Sequence, residues 1–169
     1  MRDEQYVSFR IDGYLFGINI LTVREIISNV DFTPVERVPE SVRGLLNLRG
    51  QIIAVLDLGP SLGLPLREIG PETRCVIIKS EEEVATQIED GQLTEDMYGE
   101  AIGLIVDGIS DVVAVGEDDL ESPPANANGI DSDHLQGVVK LDQDLLLVLT
   151  LKRLIEAGLH GALENKVEA

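Results

Sequence analysis

The sequence predicts an all-β fold built from two related small barrels, and three observations carry that expectation. Short apolar segments recur along the chain, alternating at period two or running briefly unbroken, between clusters of Gly, Pro, Asn and Asp. Helical spacing is confined to a few short stretches. The chain also repeats itself: Gly44–Leu58 aligns without gaps on Gly137–Leu151, and Phe16–Ile20 parallels Ile102–Val106. Continuing the second register sets Val23, Glu25 and Ile26 against Ile109, Asp111 and Val112. The matched glycines Gly17/Gly103 and Gly44/Gly137 argue against chance similarity between apolar strands.

Taken in order, the elements begin with a hairpin. Val7, Phe9 and Ile11 alternate with Ser8 and Arg10, and Asp12-Gly13 suits a type I′ turn, whose two central residues both need φ > 0. The return strand is Tyr14–Ile20. Ile20, Val23 and Ile27 then fall on one face of a short helix. Val30–Val35 is expected to be extended, ending in a loop marked by Pro34 and Pro39. In Gly44–Leu58 two apolar runs flank a tight turn at Arg49-Gly50-Gln51. Arg74–Lys79 is a further strand. Ser80–Glu100 holds eight acidic residues and no Lys or Arg, and is expected to be a mobile loop or extended hairpin tip. Strands follow at Ala101–Val106 and Ile109–Val115. Pro123-Pro124 and Asn126–Gly129 mark a loop. A last hairpin turns at Asp142-Gln143, and a short helix from Leu151 to Ala157 stops near Gly158, with a frayed tail beyond it.

Composition narrows the function. Hydrophobic residues make up 44%, enough for a packed core. The formal charge of −18 repels a phosphate backbone or an anionic membrane surface, so neither nucleic acid nor lipid is an expected partner. No apolar run approaches the roughly 20 residues a spanning helix needs, and the N-terminus lacks a signal-peptide core, so no membrane insertion is expected. The lone Cys75 cannot form an internal disulfide, which suits a reducing, cytoplasmic setting.

Catalysis needs converging polar groups, and the sequence offers few. His134 beside Asp131 and Asp133 hints at a metal site, but no second His or Cys is placed to complete a shell. His160 is expected in the exposed tail, and Cys75 sits in a strand as a small apolar residue. Phosphate-binding loops, dinucleotide fingerprints and nucleophile elbows are absent from the sequence. The expectation is a protein with no cofactor, no metal and no catalysis of its own.

Gly44-Leu45-Leu46-Asn47-Leu48-Arg49-Gly50, followed by Ile53-Ala54-Val55-Leu56-Asp57-Leu58, resembles the signature of the CheW family of bacterial chemotaxis coupling proteins. Phe16-Gly17-Ile18, Val23–Ile26 and Gly103–Val112 fit the same pattern in order, so the resemblance covers about residues 5–155. It implies a single domain of two intertwined SH3-like five-stranded barrels, with pseudo-repeat halves near 14–65 and 100–155, the 80–100 insertion between them and a tail at 158–169. It also implies an adaptor that couples methyl-accepting chemoreceptors, through their signalling tips, to the regulatory domain of the histidine kinase CheA. The family positions carried over are Val23, Glu25, Gly44, Arg49 and Val112 for the receptor, and Leu120 and Glu121 for the kinase. Arg49 stands opposite Asp142 in the repeat whereas Glu25 stands opposite Asp111, so an Arg49–Glu25 pair would belong to one half alone. Core packing competes as the role of Val23 and Val112, and a shared backbone requirement competes at Gly44.

Two departures stand out: Ala54 occupies a position where the family usually has proline, and the acidic stretch is long for a hairpin tip. Two other readings compete with the leading one. They are coupling in a non-flagellar chemosensory pathway, and a sensor barrel for a small ligand.

Overall fold

A computed structural model describes residues 3–28, 30–87, 91–127 and 129–168. Met1 and Arg2 of the N-terminus, Asn29, residues 88–90 of the acidic stretch, Asn128 of the expected loop and Ala169 lie outside the described residues. Strands β1 (Glu4–Ile11) and β2 (Tyr14–Asn19) form the first hairpin, and Asp12 and Gly13 take φ values of 51° and 84°, as the type I′ expectation requires.

The helix expected from Ile20 to Ile27 does not form. One 3₁₀ turn, Ile20–Thr22, is capped by Asn19, whose Oδ1 accepts the Leu21 N–H at 2.9 Å, and the chain then runs as β3 (Val23–Ile27). Val23, Ile26 and Ile27 are β-branched and find a partner strand, and that pairing overrides the helical spacing.

After β4 (Val42–Leu48), β5 (Gln51–Leu56) and β6 (Arg74–Ile78), the acidic stretch folds as two short helices, α1 (Glu81–Gln87) and α2 (Gly91–Glu95). This corrects the expected mobile loop or hairpin tip. Ser80 and Glu83 form a capping box: Ser80 Oγ accepts the Glu83 N–H at 3.2 Å, and Glu83 Oε1 accepts the Ser80 N–H at 3.2 Å. Glu81–Glu83 occupy the first turn, where negative charge complements the helix dipole. Val84 and Met97 are fully buried and anchor the segment in the core.

Strands β7 (Ile102–Val106) and β8 (Gly108–Val115) follow, then a miniature pair, β9 (Asn126–Ala127) and β10 (Ile130–Asp131), within the expected loop. The last hairpin is β11 (Leu135–Lys140) with β12 (Leu145–Leu149). The closing helix α3 spans Leu151–Glu168 and passes through Gly158 without stopping there. Gly158 lies close against Leu56, where an added Cβ would come within 3.0 Å of its Cδ1, so the glycine serves packing. Asp96 caps this helix from a distance: its carboxylate accepts the Leu151 N–H at 3.0 Å, the Lys152 N–H at 3.4 Å and the Gln136 side-chain amide at 3.0 Å. Burial nonetheless holds the Asp96 carboxyl above the usual aspartate range.

The strands form two five-stranded barrels. One sheet has the order β11-β12-β2-β1-β8, the other β3-β6-β7-β5-β4. The sequence repeat reappears as identical registers. Val42 pairs with Leu56 and, after a bulge, Gly44 with Val55; Leu135 pairs with Leu149 and, after a bulge, Gly137 with Val148. The repeats are also exchanged: β5 runs parallel to β7 through Val55–Gly103, and β12 runs parallel to β2 through Val148–Gly17. Each barrel therefore takes a glycine strand from one repeat and a hairpin from the other.

Three apolar clusters result. Tyr6, Leu15, Val139, Leu146 and Val148 fill the first barrel, and Leu46, Ile53, Val55, Cys75 and Ile77 fill the second. The largest lies between them, joining Phe9, Phe16 and Leu147 to Leu56, Ile78 and Leu104, with Leu154 and Ile155 of α3 alongside. Buried on both faces, the inner strands read as unbroken apolar runs.

Candidate functional site

The β4–β5 turn explains the Asn47-Leu48-Arg49-Gly50 sequence residue by residue. Asn47 Oδ1 accepts the Gly50 N–H at 3.0 Å and fixes the turn from inside. Arg49 (φ 50°) and Gly50 (φ 89°) both take left-handed backbone, which a two-residue turn between twisted strands demands. Glycine does this freely, whereas arginine does so at a cost of about 1–2 kcal/mol. That local strain throws the Arg49 side chain across to β3. There its guanidinium makes a two-pronged contact with Glu25, Nη1 to Oε1 at 3.2 Å and Nη2 to Oε2. The Arg49 side chain is 69% exposed and that of Glu25 26%, so the pair lies on the surface. Arg49 holds the Glu25 carboxyl below the usual glutamate range.

The pair spans the seam between the edge strands of the second barrel. Nearby, the same seam is closed by backbone: Thr33, in the extended segment after β3, exchanges hydrogen bonds of 2.8 Å in both directions with Leu45 of β4. The strap presses on Gly44, where a side chain would strike the Thr33 carbonyl oxygen and the Phe32 ring. Arg43 lies over that ring, 5.9 Å from its centroid.

The first barrel repeats the strap. Glu121 exchanges 2.9 Å hydrogen bonds in both directions with Val138 of β11, and Gly137 is pressed by Leu120 and by the Glu121 carbonyl, 2.8 Å from where its Cβ would be. Leu120 and Glu121, expected on the kinase side, thus carry a structural duty as the strap of this barrel. No lock matches Arg49–Glu25 there, because Asp142 and Asp111 stand in their places, two carboxylates where the other barrel has an ion pair.

The remaining expected residues are distributed rather than clustered. Val23 lies on β3 two positions before Glu25 and packs partly against the shared core. Gly44 is buried beneath its strap. Val112 is 53% exposed on β8 of the other barrel, in register with Val7 of β1. Its repeat counterpart Ile26 and the β5 residue Ile52 are exposed as well.

Sequence reasoning missed a polar junction between the barrels. Arg67, with its side chain buried, contacts Asp107 and donates to the Pro65 carbonyl at 2.7 Å. Asp107 also accepts the Asp12 N–H at 2.8 Å, and the fully buried Asp57 accepts the Arg67 N–H at 2.6 Å and an Arg43 nitrogen at 3.1 Å. Asp57 and Asp107 are the acidic residues that follow the apolar runs Ile52–Leu56 and Leu104–Val106 within the matched motifs, and that was the available signal.

Among the described residues no group of three His, Cys, Asp or Glu side chains is arranged to hold a metal ion. Asp131 and His134 instead build a capped 3₁₀ turn, with Asp131 Oδ1 accepting the Asp133 N–H at 2.9 Å. Nor is any helix among the described residues long and apolar enough to cross a membrane.

Comparison with known proteins agrees with this geometry. The chain is 31% identical over 164 residues to the chemotaxis protein CheW of Treponema pallidum, covering 93% of this chain and 86% of that one. It is 29% identical to the chemotaxis protein CheW of Bacillus subtilis, covering 90% and 87%. The crystal structure of the scaffolding protein TtCheW from Thermoanaerobacter tengcongensis superposes with a TM-score of 0.73 at 28% identity, over 91% of this chain and 88% of that one. The CheW-like domain profile matches residues 5–158, and with its two interlocked barrels the chain belongs to that family.

Proposed function

We propose that this chain is a non-catalytic, cytoplasmic adaptor of chemotaxis signalling, joining a methyl-accepting chemoreceptor's signalling tip to the regulatory domain of a CheA-type histidine kinase. The observation that carries the reading is the Arg49–Glu25 lock, set by a strained turn in one barrel of a CheW-like domain and replaced by two carboxylates in the other. A residue that costs local stability yet stays at the surface serves something outside the fold. The receptor surface is accordingly assigned to the second barrel around Arg49, Glu25 and Val23, with Gly44 acting through the strap, and with Val112 of β8 as an exposed apolar contact contributed by the first barrel. The first barrel, around Leu120 and Glu121, is assigned to the kinase.

The test is a binding assay of the full chain against a receptor signalling hairpin and a kinase regulatory domain. Binding to both, with Arg49→Ala losing the hairpin and keeping the kinase, is expected. A chain that binds neither overturns the adaptor reading, and an Arg49→Ala protein with full hairpin affinity overturns the residue assignment.

A further inference from the structure

We infer that Glu83, in the acidic insertion, is a positioning residue for the Arg49 turn, acting through Arg24 and Gln51. The inference rests on the receptor reading above but concerns a segment outside the motifs that carried it. The β3–β6 ladder has a bulge between Val23 and Glu25, which leaves Arg24 unpaired on the strand. A bulge turns a side chain out of the regular alternation, and here Arg24 takes two partners at once. Its Nε donates to Glu83 Oε2 at 3.1 Å, with Nη2 also on Glu83 Oε1, and its Nη1 donates to Gln51 Oε1 at 2.8 Å.

Gln51 is the first residue of β5, directly after the Arg49-Gly50 turn. Arg24 is also the backbone neighbour of Glu25, whose carboxyl it helps to keep ionised. A continuous set of contacts therefore runs from α1 through Arg24 to both sides of the Arg49–Glu25 pair. The repeat marks this as a feature of one barrel: the β1–β8 ladder is also irregular, between Ile109 and Val112 of β8, but the counterpart of Arg24 there is the uncharged Ser110.

Glu83 is suited to the task because its place does not depend on Arg24. The Ser80–Glu83 capping box and the buried Val84 fix α1 on their own account. Arg24 and Glu83 side chains are only 21% and 27% exposed, so water screens their contact less than it screens Arg49 and Glu25. The insertion thus sets how firmly the turn is held, and so how tightly the receptor segment binds.

Glu83→Gln separates positioning from folding, because glutamine still completes a capping box but cannot pair ionically with Arg24. The expected result is an about five-fold weaker hairpin affinity with kinase affinity unchanged. Arg24→Gln should lose about as much, and the double variant no more than either single one. Unchanged hairpin affinity in Glu83→Gln, an equal loss toward the kinase, or fully additive losses each overturn the inference. A wild-type chain that binds no hairpin sinks the receptor reading instead. The positioning is then decided by NMR of the Arg49 guanidinium: faster Nη–H exchange in Glu83→Gln supports it, and unchanged exchange overturns it.

Discussion

Arg49 reaches Glu25 from a left-handed backbone position, so the ion pair and the turn that presents it depend on one residue. The geometry of that pair has a direct consequence for titration. Glu25 lies below its ordinary value of 4.5 chiefly through the hydrogen bonds from Arg49, against the opposing effect of burial, with the charges of Arg49 and Arg24 adding to it. A carboxyl depressed in the folded state contributes stability above its unfolded pKa and loses it as pH falls through the lower, folded value. Carbon-detected NMR titration should therefore find Glu25 still ionised below pH 4.5 in the wild type and returned toward 4.5 in Arg49→Ala. An unshifted Glu25 in the wild type would contradict the pairing.

The two strap glycines should behave alike despite lying in different barrels. Gly44→Ala and Gly137→Ala each push a methyl group into a crossing chain, and overpacking of this kind costs about 1–3 kcal/mol. Urea unfolding should show both midpoints lowered. A neutral Gly137→Ala alongside a damaging Gly44→Ala would mean that the straps are not equivalent.

The acidic insertion should act as part of the fold. Asp96→Ala removes a carboxylate that holds two free N–H groups of α3, and the loss of such a cap costs about 1 kcal/mol. Met97→Ala should cost more, about 2–5 kcal/mol, because its side chain is fully buried. Thermal unfolding of the two variants measures both, and two unchanged midpoints would return the segment to the status of a passive loop.

Cys75 should be silent until the protein opens. Its thiol is buried in β6, and burial pushes its pKa up to about 12. A disulfide reagent at pH 8 should leave the native chain unlabelled and label it fully in denaturant. Because Cys75 is the chain's only cysteine, labelling rates then report opening of the second barrel.

The parts that were legible in the sequence are those governed by short-range rules. Asp12-Gly13 and Arg49-Gly50 announce their turns through backbone preference, and the repeat announced the matched hairpins that begin near Gly44 and Gly137. Three misreadings have separate physical causes. At Ile20–Ile27 a helical spacing competed with β-branched composition, and an available partner strand decided the outcome. In Ser80–Glu100 acidity masked a capping box and two anchoring apolar residues, Val84 and Met97, whose burial depends on distant strands. At Gly158 a residue that often ends helices was instead the one small enough to lie on Leu56. Of the site, the Arg49–Glu25 pairing was legible through the family resemblance, and the repeat added that it belongs to one half alone. The Glu83–Arg24–Gln51 contacts and the Arg67 junction were not, since they join residues far apart in sequence that no local rule connects.

The exchange of strands between repeats also bears on how the chain is made. All five strands of the second barrel lie in one continuous stretch from Val23 to Val106, while the first barrel is split around it: β1 and β2 come before, and β8, β11 and β12 come after. As the polypeptide leaves the ribosome, the second barrel has every strand in hand while the β1–β2 hairpin still waits for partners. Closing β1 onto β8 then brings together residues as far apart as Glu4 and Val115, a loop-closure cost that a preassembled barrel between them shortens. The barrel bearing Arg49 is thus the one the chain can complete first, and the other closes around its two ends.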